Sequence, residues 1–254
     1  MNNQFLFSLI SGVFIGGTAA YLGSLMLTKR MALVGDALGH VALPGMGLAL
    51  LFNLDISLGA FIFLFLGILL IWLFEMRTSL PTEALVGVIF VASLAIGFLI
   101  IPKLELLEAL FGDISEVSLA MTVVSVIFSI LIFWIIKKIY PNLILASVSS
   151  DLAKSEGIKV KKQNLIYLIL IAAIVALGIK IVGSLLVGAL VIIPAATARN
   201  LSKNLKGYYT GSIILGVLSC LFGIFIFKLT GLPAGPLIIL VSTVFFIISL
   251  ASKK

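Results

Sequence analysis

The chain has 254 residues, of which 62% are hydrophobic and 11% charged, and its net charge is +7. Because soluble proteins carry about 25% charged residues, this composition excludes a soluble protein. The positive net charge therefore does not indicate that the chain binds nucleic acid. A single cysteine, Cys220, excludes disulfide frameworks and cysteine-based metal sites. Continuous apolar runs near 20 residues long predict an all-α polytopic membrane protein.

The apolar runs predict eight or nine transmembrane helices. The seventh run is short and begins almost where the sixth ends, so it is either a ninth span or half of a re-entrant pair. In chain order the predicted spans are residues 5–27, 31–52, 57–74, 83–101, 117–136, 164–181, 184–198, 208–228 and 235–251.

Basic residues fall mostly on one side of these spans. If the residues after the first span face the cytoplasm, 14 of the 17 basic residues lie inside, and only Lys103, Lys180 and Lys228 lie outside. The positive-inside rule therefore predicts an outside N-terminus and a cytoplasmic C-terminus. An odd number of spans, such as nine, places the two termini on opposite sides as this orientation requires.

Two connections between spans are polar. Residues 103–118 on the outer side are either a solvated loop or an acidic mouth that concentrates cations, through Glu105, Glu108, Asp113 and Glu116. Residues 141–163 form the longest cytoplasmic stretch. In this stretch, Ser149, Ser150 or Asp151 would cap a short helix that ends at Gly157. This helix would either dock on a soluble partner or anchor the chain at the membrane interface.

An ionisable pair lies inside the second span, in the run MALVGDALGHVALPGMGLALLF. Asp36 and His40 are four residues apart and so share one helix face, with His40 about 13 Å from the inner end. Ionisable groups at this depth are costly. Three interpretations remain open: a site for a transported metal ion, a proton relay, or a pair that stabilises helix packing.

The backbone around this pair is predicted to be deformable. Pro44 offers no N–H to the carbonyl oxygen of His40, so we expect that oxygen to be free, and Gly45 follows directly. Gly35 and Gly39 form a small-xxx-small pair that lets another helix approach. A second run, IVGSLLVGALVIIPAATARNL, contains Pro194 and is interpreted as a kinked helix.

Three sequence signatures of enzymes are absent. The chain has no GxxxxGK(S/T) phosphate loop, no GxSxG elbow and no HExxH pair, and His40 is its sole histidine. We therefore expect no enzymatic activity, and ATP-driven transport would need a separate ATPase subunit.

The motifs resemble those of the integral-membrane permeases of bacterial ABC importers of zinc, manganese and iron. MALVGDALGHVALPGMGLAL is similar to their second-helix signature, and GSLLVGALVIIPAATAR to another of their blocks. LFGDISEVS, SSDLAKSEGI and LTGLPAGPLIIL follow in the same order and spacing. The resemblance covers essentially the whole chain, with zinc-importing members most similar, and implies one transmembrane permease domain over residues 1–254.

The resemblance also implies partners and residue roles. It implies a multi-pass protein of the bacterial inner membrane that homodimerises in lipid, is driven by a cytosolic ATPase and receives metal from an extracytoplasmic binding protein. Asp36 and His40 would line the metal pathway as ligands, with Gly35, Gly39, Pro44, Gly45 and Pro194 as its hinge. Asp151, Leu152, Ala153 and Gly157 would form the coupling helix that meets the ATPase.

The expected function is therefore import of a divalent transition metal, with Zn2+ ahead of Mn2+ and then Fe2+, and no permanently bound cofactor. The four outer carboxylates suit Mn2+ at least as well as Zn2+. The alternatives are a proton-coupled secondary metal carrier, in which Asp36 titrates, and a non-transporting membrane scaffold, in which the Asp36–His40 pair only stabilises packing.

Overall fold

The computed structural model describes residues 3–101, 117–184 and 187–251. The four acidic residues of the predicted outer mouth, Glu105, Glu108, Asp113 and Glu116, lie outside these ranges. Within them the chain forms the helices α1 (Asn3–Thr28), α2 (Ala32–Val41), α3 (Leu43–Leu51), α4 (Ile56–Arg77), α5 (Thr82–Ile100), α6 (Leu119–Val148), α7 (Ser150–Ser155), α8 (Val160–Val182), α9 (Val187–Leu201), α10 (Leu205–Thr230) and α11 (Ala234–Ala251).

The all-α membrane architecture is confirmed. In the described part of the chain, eight stretches are long and apolar enough to cross a membrane, and α2 and α3 together make one of them, Val34–Leu51. The remaining apolar helix, α9, has 15 residues. At 1.5 Å per residue it is about 22 Å long, shorter than a hydrocarbon layer of about 30 Å. It corresponds to the short seventh run, so the count of eight or nine depends on α9 alone.

Helix α6 extends beyond the apolar run that predicts it. The predicted span ends at residue 136, and the polar connection was expected from Pro141, whereas α6 continues to Val148 with Pro141 inside it. Pro141 cannot bond the carbonyl oxygen of Lys137, but Lys137 is exposed, so water can satisfy that oxygen. Only residues 149–159 therefore connect α6 to α8, with α7 among them.

Side-chain caps set several helix starts. The side chain of the residue before each helix accepts a hydrogen bond from the backbone N–H three residues on, which satisfies a donor that has no partner within the helix. Ser149 caps α7 in this way, at 3.2 Å from the Leu152 nitrogen. Gly157 follows α7 with a φ of +76°, a conformation that favours glycine, so the predicted end of this helix is confirmed. The other caps of this kind are Asp55, Ser118 and Asn204.

Helix α1 lies at the centre of the bundle. It contacts α6, α8, α9 and α10, while the broken span α2–α3 packs against α4, α5, α8 and α9. Both α1 and α2–α3 are largely buried, whereas α4, α5, α6, α10 and α11 expose broad apolar faces. Because lipid tails are apolar, such faces are suited to the bilayer. The ionisable residues of α2 are therefore held in the protein interior.

Candidate functional site

Asp36 and His40 lie one helical turn apart on α2. Asp36 is half-buried, whereas the His40 side chain is only 8% exposed and packs against Phe90 of α5, with 5.3 Å between ring centroids. The Nδ1 atom of His40 is buried, and no described residue hydrogen-bonds to it. Buried polar atoms are normally paired, so an unpaired ring nitrogen is typical of a group that binds a proton or a metal ion.

The span breaks at the turn that follows His40. Helix α2 ends at Val41 and α3 begins at Leu43, with Pro44 in the first turn of α3, where a missing N–H is tolerated. The prediction of a free His40 carbonyl oxygen is wrong, because this oxygen accepts a hydrogen bond from the Ala42 N–H. The helix restarts at Leu43 instead of kinking, and the freed acceptor finds a donor within the turn.

The second sequence block packs directly on this pair. A Cβ atom added to Gly188 of α9 would lie 2.4 Å from the Asp36 Cα, and one added to Gly39 would lie 2.3 Å from the Ser184 carbonyl oxygen. Gly35 faces the same helix, near Val191. These glycines let the two backbones touch, as the Gly35 and Gly39 spacing predicts. The start of α9 therefore lies beside the middle of α2.

Two further hinge candidates lie in tightly packed surroundings. A Cβ atom on Gly45 would meet the Gly59 carbonyl oxygen of α4 at 2.1 Å, so α3 and α4 are in backbone contact there. Pro194 lies inside α9 and is buried. Pro44, Gly45 and Pro194 are thus all buried in the bundle.

The part of the chain that the structure describes does not complete a metal site by itself. No group of three or more His, Cys, Asp or Glu side chains comes together among residues 3–101, 117–184 and 187–251. Asp36 and His40 therefore supply two donors, and structural zinc sites have four ligands. Two donors suit an ion that binds weakly and is released.

The predicted ATPase-contacting residues lie at the surface with one exception. Asp151 and Leu152 are exposed, and Gly157 has open space around its Cα atom. Ala153 is fully buried and faces the bundle. The Asp151 carboxylate pairs with Lys154 at 3.0 Å. Helix α7 therefore packs against the bundle through Ala153 and presents Asp151 and Leu152 outward.

The sequence does not predict a cluster of side chains around the C-terminal third of α1. All five tyrosines of the chain gather there, although they come from four different helices. Three of their hydroxyl groups contact α1: Tyr167 donates to the Leu22 carbonyl at 3.0 Å, Tyr208 donates to the Ser24 carbonyl at 3.0 Å, and Tyr140 lies 3.4 Å from the Ser24 hydroxyl.

The remaining two tyrosines complete this tyrosine cluster. Tyr21 stacks on Tyr140 with centroids 5.4 Å apart and lies 5.7 Å from Tyr209. The only sequence signal was that each tyrosine occurs near the cytoplasmic end of a predicted span, where aromatic residues are common. Helices α1, α6, α8 and α10 are therefore joined at one end of the bundle.

Lys29 borders this cluster. Its ammonium group donates a hydrogen bond to Asn164 Oδ1 and lies 5.4 Å from the centroid of the Tyr167 ring. Burial lowers the pKa of Lys29 to about 8, and the negative charge of Glu75 opposes that shift. The turn between α1 and α2 is thereby tied to the start of α8.

Comparisons with known proteins agree with this architecture. The profile of the ABC 3 transport family matches residues 1–253. The high-affinity zinc uptake system membrane protein ZnuB of Buchnera aphidicola subsp. Baizongia pistaciae is 32% identical over 260 residues, covering 100% of this chain and 99% of that protein. The manganese import system permease protein ScaB of Streptococcus parasanguinis is 29% identical over 246 residues, with 95% and 88% covered.

A solved structure has the same fold. PsaBC from Streptococcus pneumoniae in complex with Fab superposes with a TM-score of 0.85 at 27% identity, covering 98% of this chain and 91% of that one. The match extends over nearly all of both chains, so the broken second span and the short α9 fall within the shared architecture.

Proposed function

Because this chain belongs to the ABC 3 transport family, we propose that it imports a divalent transition metal across the cytoplasmic membrane, with Zn2+ ahead of Mn2+. It is the permease subunit of an ABC transporter and is not an enzyme, since ATP hydrolysis belongs to a separate subunit. Membership in this family disfavours a proton-driven carrier and a non-transporting scaffold.

One observation supports the metal pathway above all others. His40 has a buried ring nitrogen to which no described residue hydrogen-bonds, on the helix face that also carries Asp36. Imidazole with carboxylate is a ligand set that borderline cations such as Zn2+ and Mn2+ accept. The carboxylate would offset the charge of the ion, and the imidazole would bind it through a ring nitrogen.

The preference for Zn2+ over Mn2+ rests on two features. Imidazole is a common ligand of Zn2+, and ZnuB is somewhat more similar to this chain than ScaB. Mn2+ stays the second candidate, because the outer carboxylates would suit it. Uptake of radioactive zinc in competition with unlabelled Mn2+ measures this preference. Stronger inhibition by Mn2+ than by unlabelled Zn2+ would contradict it.

The incomplete ligand set favours a dimer. We infer that a second copy of the chain brings its own Asp36 and His40 to the same pathway, so that four donors are available between two copies. Gly35, Gly39, Pro44, Gly45 and Pro194 would let α2, α3 and α9 shift as access alternates. Helix α7 would contact the ATPase through Asp151, Leu152 and Gly157, with Ala153 holding it to the bundle, and a binding protein would deliver metal at the outer face.

The test is zinc uptake into proteoliposomes that contain the permease, its ATPase and its metal-binding protein. We expect His40→Gln and Asp36→Asn each to lower uptake by at least about tenfold, the scale of losing a metal-supporting group. Ser129→Ala is the matched control, because Ser129 is also buried and has no hydrogen-bond partner among the described residues, but lies on α6. Its uptake should be unchanged.

Two results would contradict the proposal. Uptake that persists in both variants would assign Asp36 and His40 to packing. Uptake driven by a pH gradient without ATPase would indicate a proton-coupled carrier. Size-exclusion chromatography of each variant, compared with the unchanged protein, shows whether it still assembles.

A further inference from the structure

We propose that a cavity between the inner end of α4 and the turn joining α7 to α8 binds the headgroup of an anionic phospholipid. The cavity has a volume of about 590 Å³. It lies apart from the Asp36 and His40 pair, neither of which lines it. The site combines a cationic rim with an apolar wall.

The cationic rim consists of Lys154, Lys159, Lys161 and Lys162. All four are exposed, and no aspartate or glutamate lines the cavity with them. Lys154 pairs with Asp151, whereas none of the other three forms an ion pair with a described residue. Four ammonium groups around one cavity repel each other, so a bound anion would be stabilised by all of them.

The backbone adds to this positive potential. Lys161 and Lys162 lie in the first turn of α8, which begins at Val160. The N–H groups of a first helical turn have no partner within the helix and favour an anion nearby. The charge at this rim therefore has two sources, side chains and the start of a 23-residue helix.

The apolar wall identifies the anion as a lipid. Trp72 and Met76 of α4 and Leu165 of α8 line the same cavity. Trp72 lies five residues before the end of α4 at Arg77, about 7 Å along the axis, the depth at which tryptophan meets headgroups. Beside it, Leu69, Leu73 and Met76 are 36%, 42% and 53% exposed on the lipid-facing side of α4. A phosphate at the rim would therefore have room for its acyl chains along α4.

A neighbouring cavity differs from this one in the charge of its lining. It has a volume of about 760 Å³ between α6, α7 and α8, and it shares Lys159 and Lys162 with the first. Its lining also includes Glu156 and Asn142, so it carries a carboxylate. An anionic lipid would be held less strongly there, because the Glu156 carboxylate offsets part of the lysine charge, whereas basic pockets without carboxylates on the cytoplasmic side suit anionic headgroups.

The test measures lipid binding by native mass spectrometry of the purified full-length chain. Phosphatidylglycerol is titrated against phosphatidylcholine, with the variant Lys161→Gln/Lys162→Gln beside the unchanged protein. Near an anionic lipid each lysine contributes about 1 kcal/mol, so the double variant should bind phosphatidylglycerol about 30-fold more weakly. Phosphatidylcholine binding should not change.

The control is Lys203→Gln/Lys206→Gln, which removes the same charge from exposed positions between α9 and α10 that do not line the cavity. It should bind phosphatidylglycerol as the unchanged protein does. An equal loss in both double variants would overturn the proposal, because only net charge would then matter.

Two further measurements distinguish a lipid from a soluble phosphate and from a protein partner. Glycerol phosphate, which has no acyl chains, should compete poorly, and competition at lipid-like affinity would mean that the site takes a soluble phosphate. If Lys161→Gln/Lys162→Gln weakens association with the ATPase and leaves lipid binding intact, the rim is a protein contact and the proposal is wrong. Both substituted lysines are exposed, so we expect the fold to persist. A thermal unfolding midpoint equal to that of the unchanged protein checks this.

Discussion

A partly buried cation, Lys29, illustrates how this bundle holds charge at the turn between α1 and α2. The ammonium group keeps two favourable contacts, the hydrogen bond to Asn164 and the Tyr167 ring, while burial lowers its pKa to about 8. Burial disfavours the charged form, and the nearby Glu75 compensates only in part. The protonation of Lys29 is therefore linked to folding.

This linkage predicts a pH dependence of stability. Between pH 8 and 10.5, the folded and unfolded pKa values of Lys29, the unfolded chain keeps a proton that the folded chain has lost. The Lys29 contribution to the free energy of unfolding therefore rises with pH across this window. Lys29→Arg removes that contribution, because a guanidinium stays protonated there. Thermal unfolding at several pH values should show the rise in the unchanged protein relative to Lys29→Arg.

The control for this prediction is Lys206→Arg, at an exposed position. Its pH profile should match that of the unchanged protein. If Lys29→Arg also has the unchanged profile, the buried ammonium is not linked to folding.

Helix contacts, at the scale of whole elements, depend on a few glycines. The contact of α9 with α2 places the Gly188 position against the Asp36 backbone, where no side-chain rotation can make room. Gly188→Ala must therefore push α9 away from α2. We expect a loss of about 1–3 kcal/mol in the free energy of unfolding, typical of overpacking, together with reduced metal uptake.

Gly87→Ala on α5 is the control for Gly188→Ala. A Cβ atom there meets nothing within 4 Å, so stability should be unchanged or slightly raised by the better helix propensity of alanine. Thermal unfolding in detergent compares the two variants. Equal midpoints would show that α2 and α9 are not in backbone contact.

The short helix α7 depends on its cap. With six residues it has few hydrogen bonds of its own, and the Ser149 hydroxyl accepts one of its free N–H groups. Ser149→Ala should destabilise the helix by about 1 kcal/mol and speed hydrogen exchange at residues 151–156. If α7 contacts the ATPase, transport-linked ATP hydrolysis should fall as well.

Ser147→Ala serves as the comparison for α7. The Ser147 hydroxyl bonds only to the Ile144 carbonyl oxygen within α6, so its loss leaves no helix end uncapped. Exchange at residues 151–156 should match the unchanged protein. Faster exchange in both variants would mean that the cap is not the cause.

The orientation of the whole molecule is a prediction from its basic residues, with the N-terminus outside and the C-terminus in the cytoplasm. Cys220 is fully buried and so gives little background with thiol reagents. In intact cells, Leu54→Cys, in the exposed turn before α4, should react with an impermeant maleimide. Lys203→Cys, between α9 and α10, should react only after permeabilisation, and the reverse pattern would invert the topology.

Physical constraints decide which parts of this molecule were predictable from sequence. Lipid permits few backbone structures, so long apolar runs predicted the spans, and an ionisable pair within one run drew attention to Asp36 and His40. The end of α6 was missed because a helix can leave the membrane without changing its backbone. The tyrosine cluster was missed because it depends on contacts between residues more than a hundred positions apart.

Because all five tyrosines lie at one place, the spectroscopic signals of tyrosine in this chain come from a single region of the bundle. Tyrosine absorbance, ultraviolet resonance Raman bands and nitration by peroxynitrite each respond to the surroundings of the phenol ring. Here every such ring lies where α1, α6, α8 and α10 meet, whereas Trp72 lies on α4 and Trp134 lies on α6, six residues before Tyr140. A change in the tyrosine signal of this chain would therefore report on the place where those four helices meet.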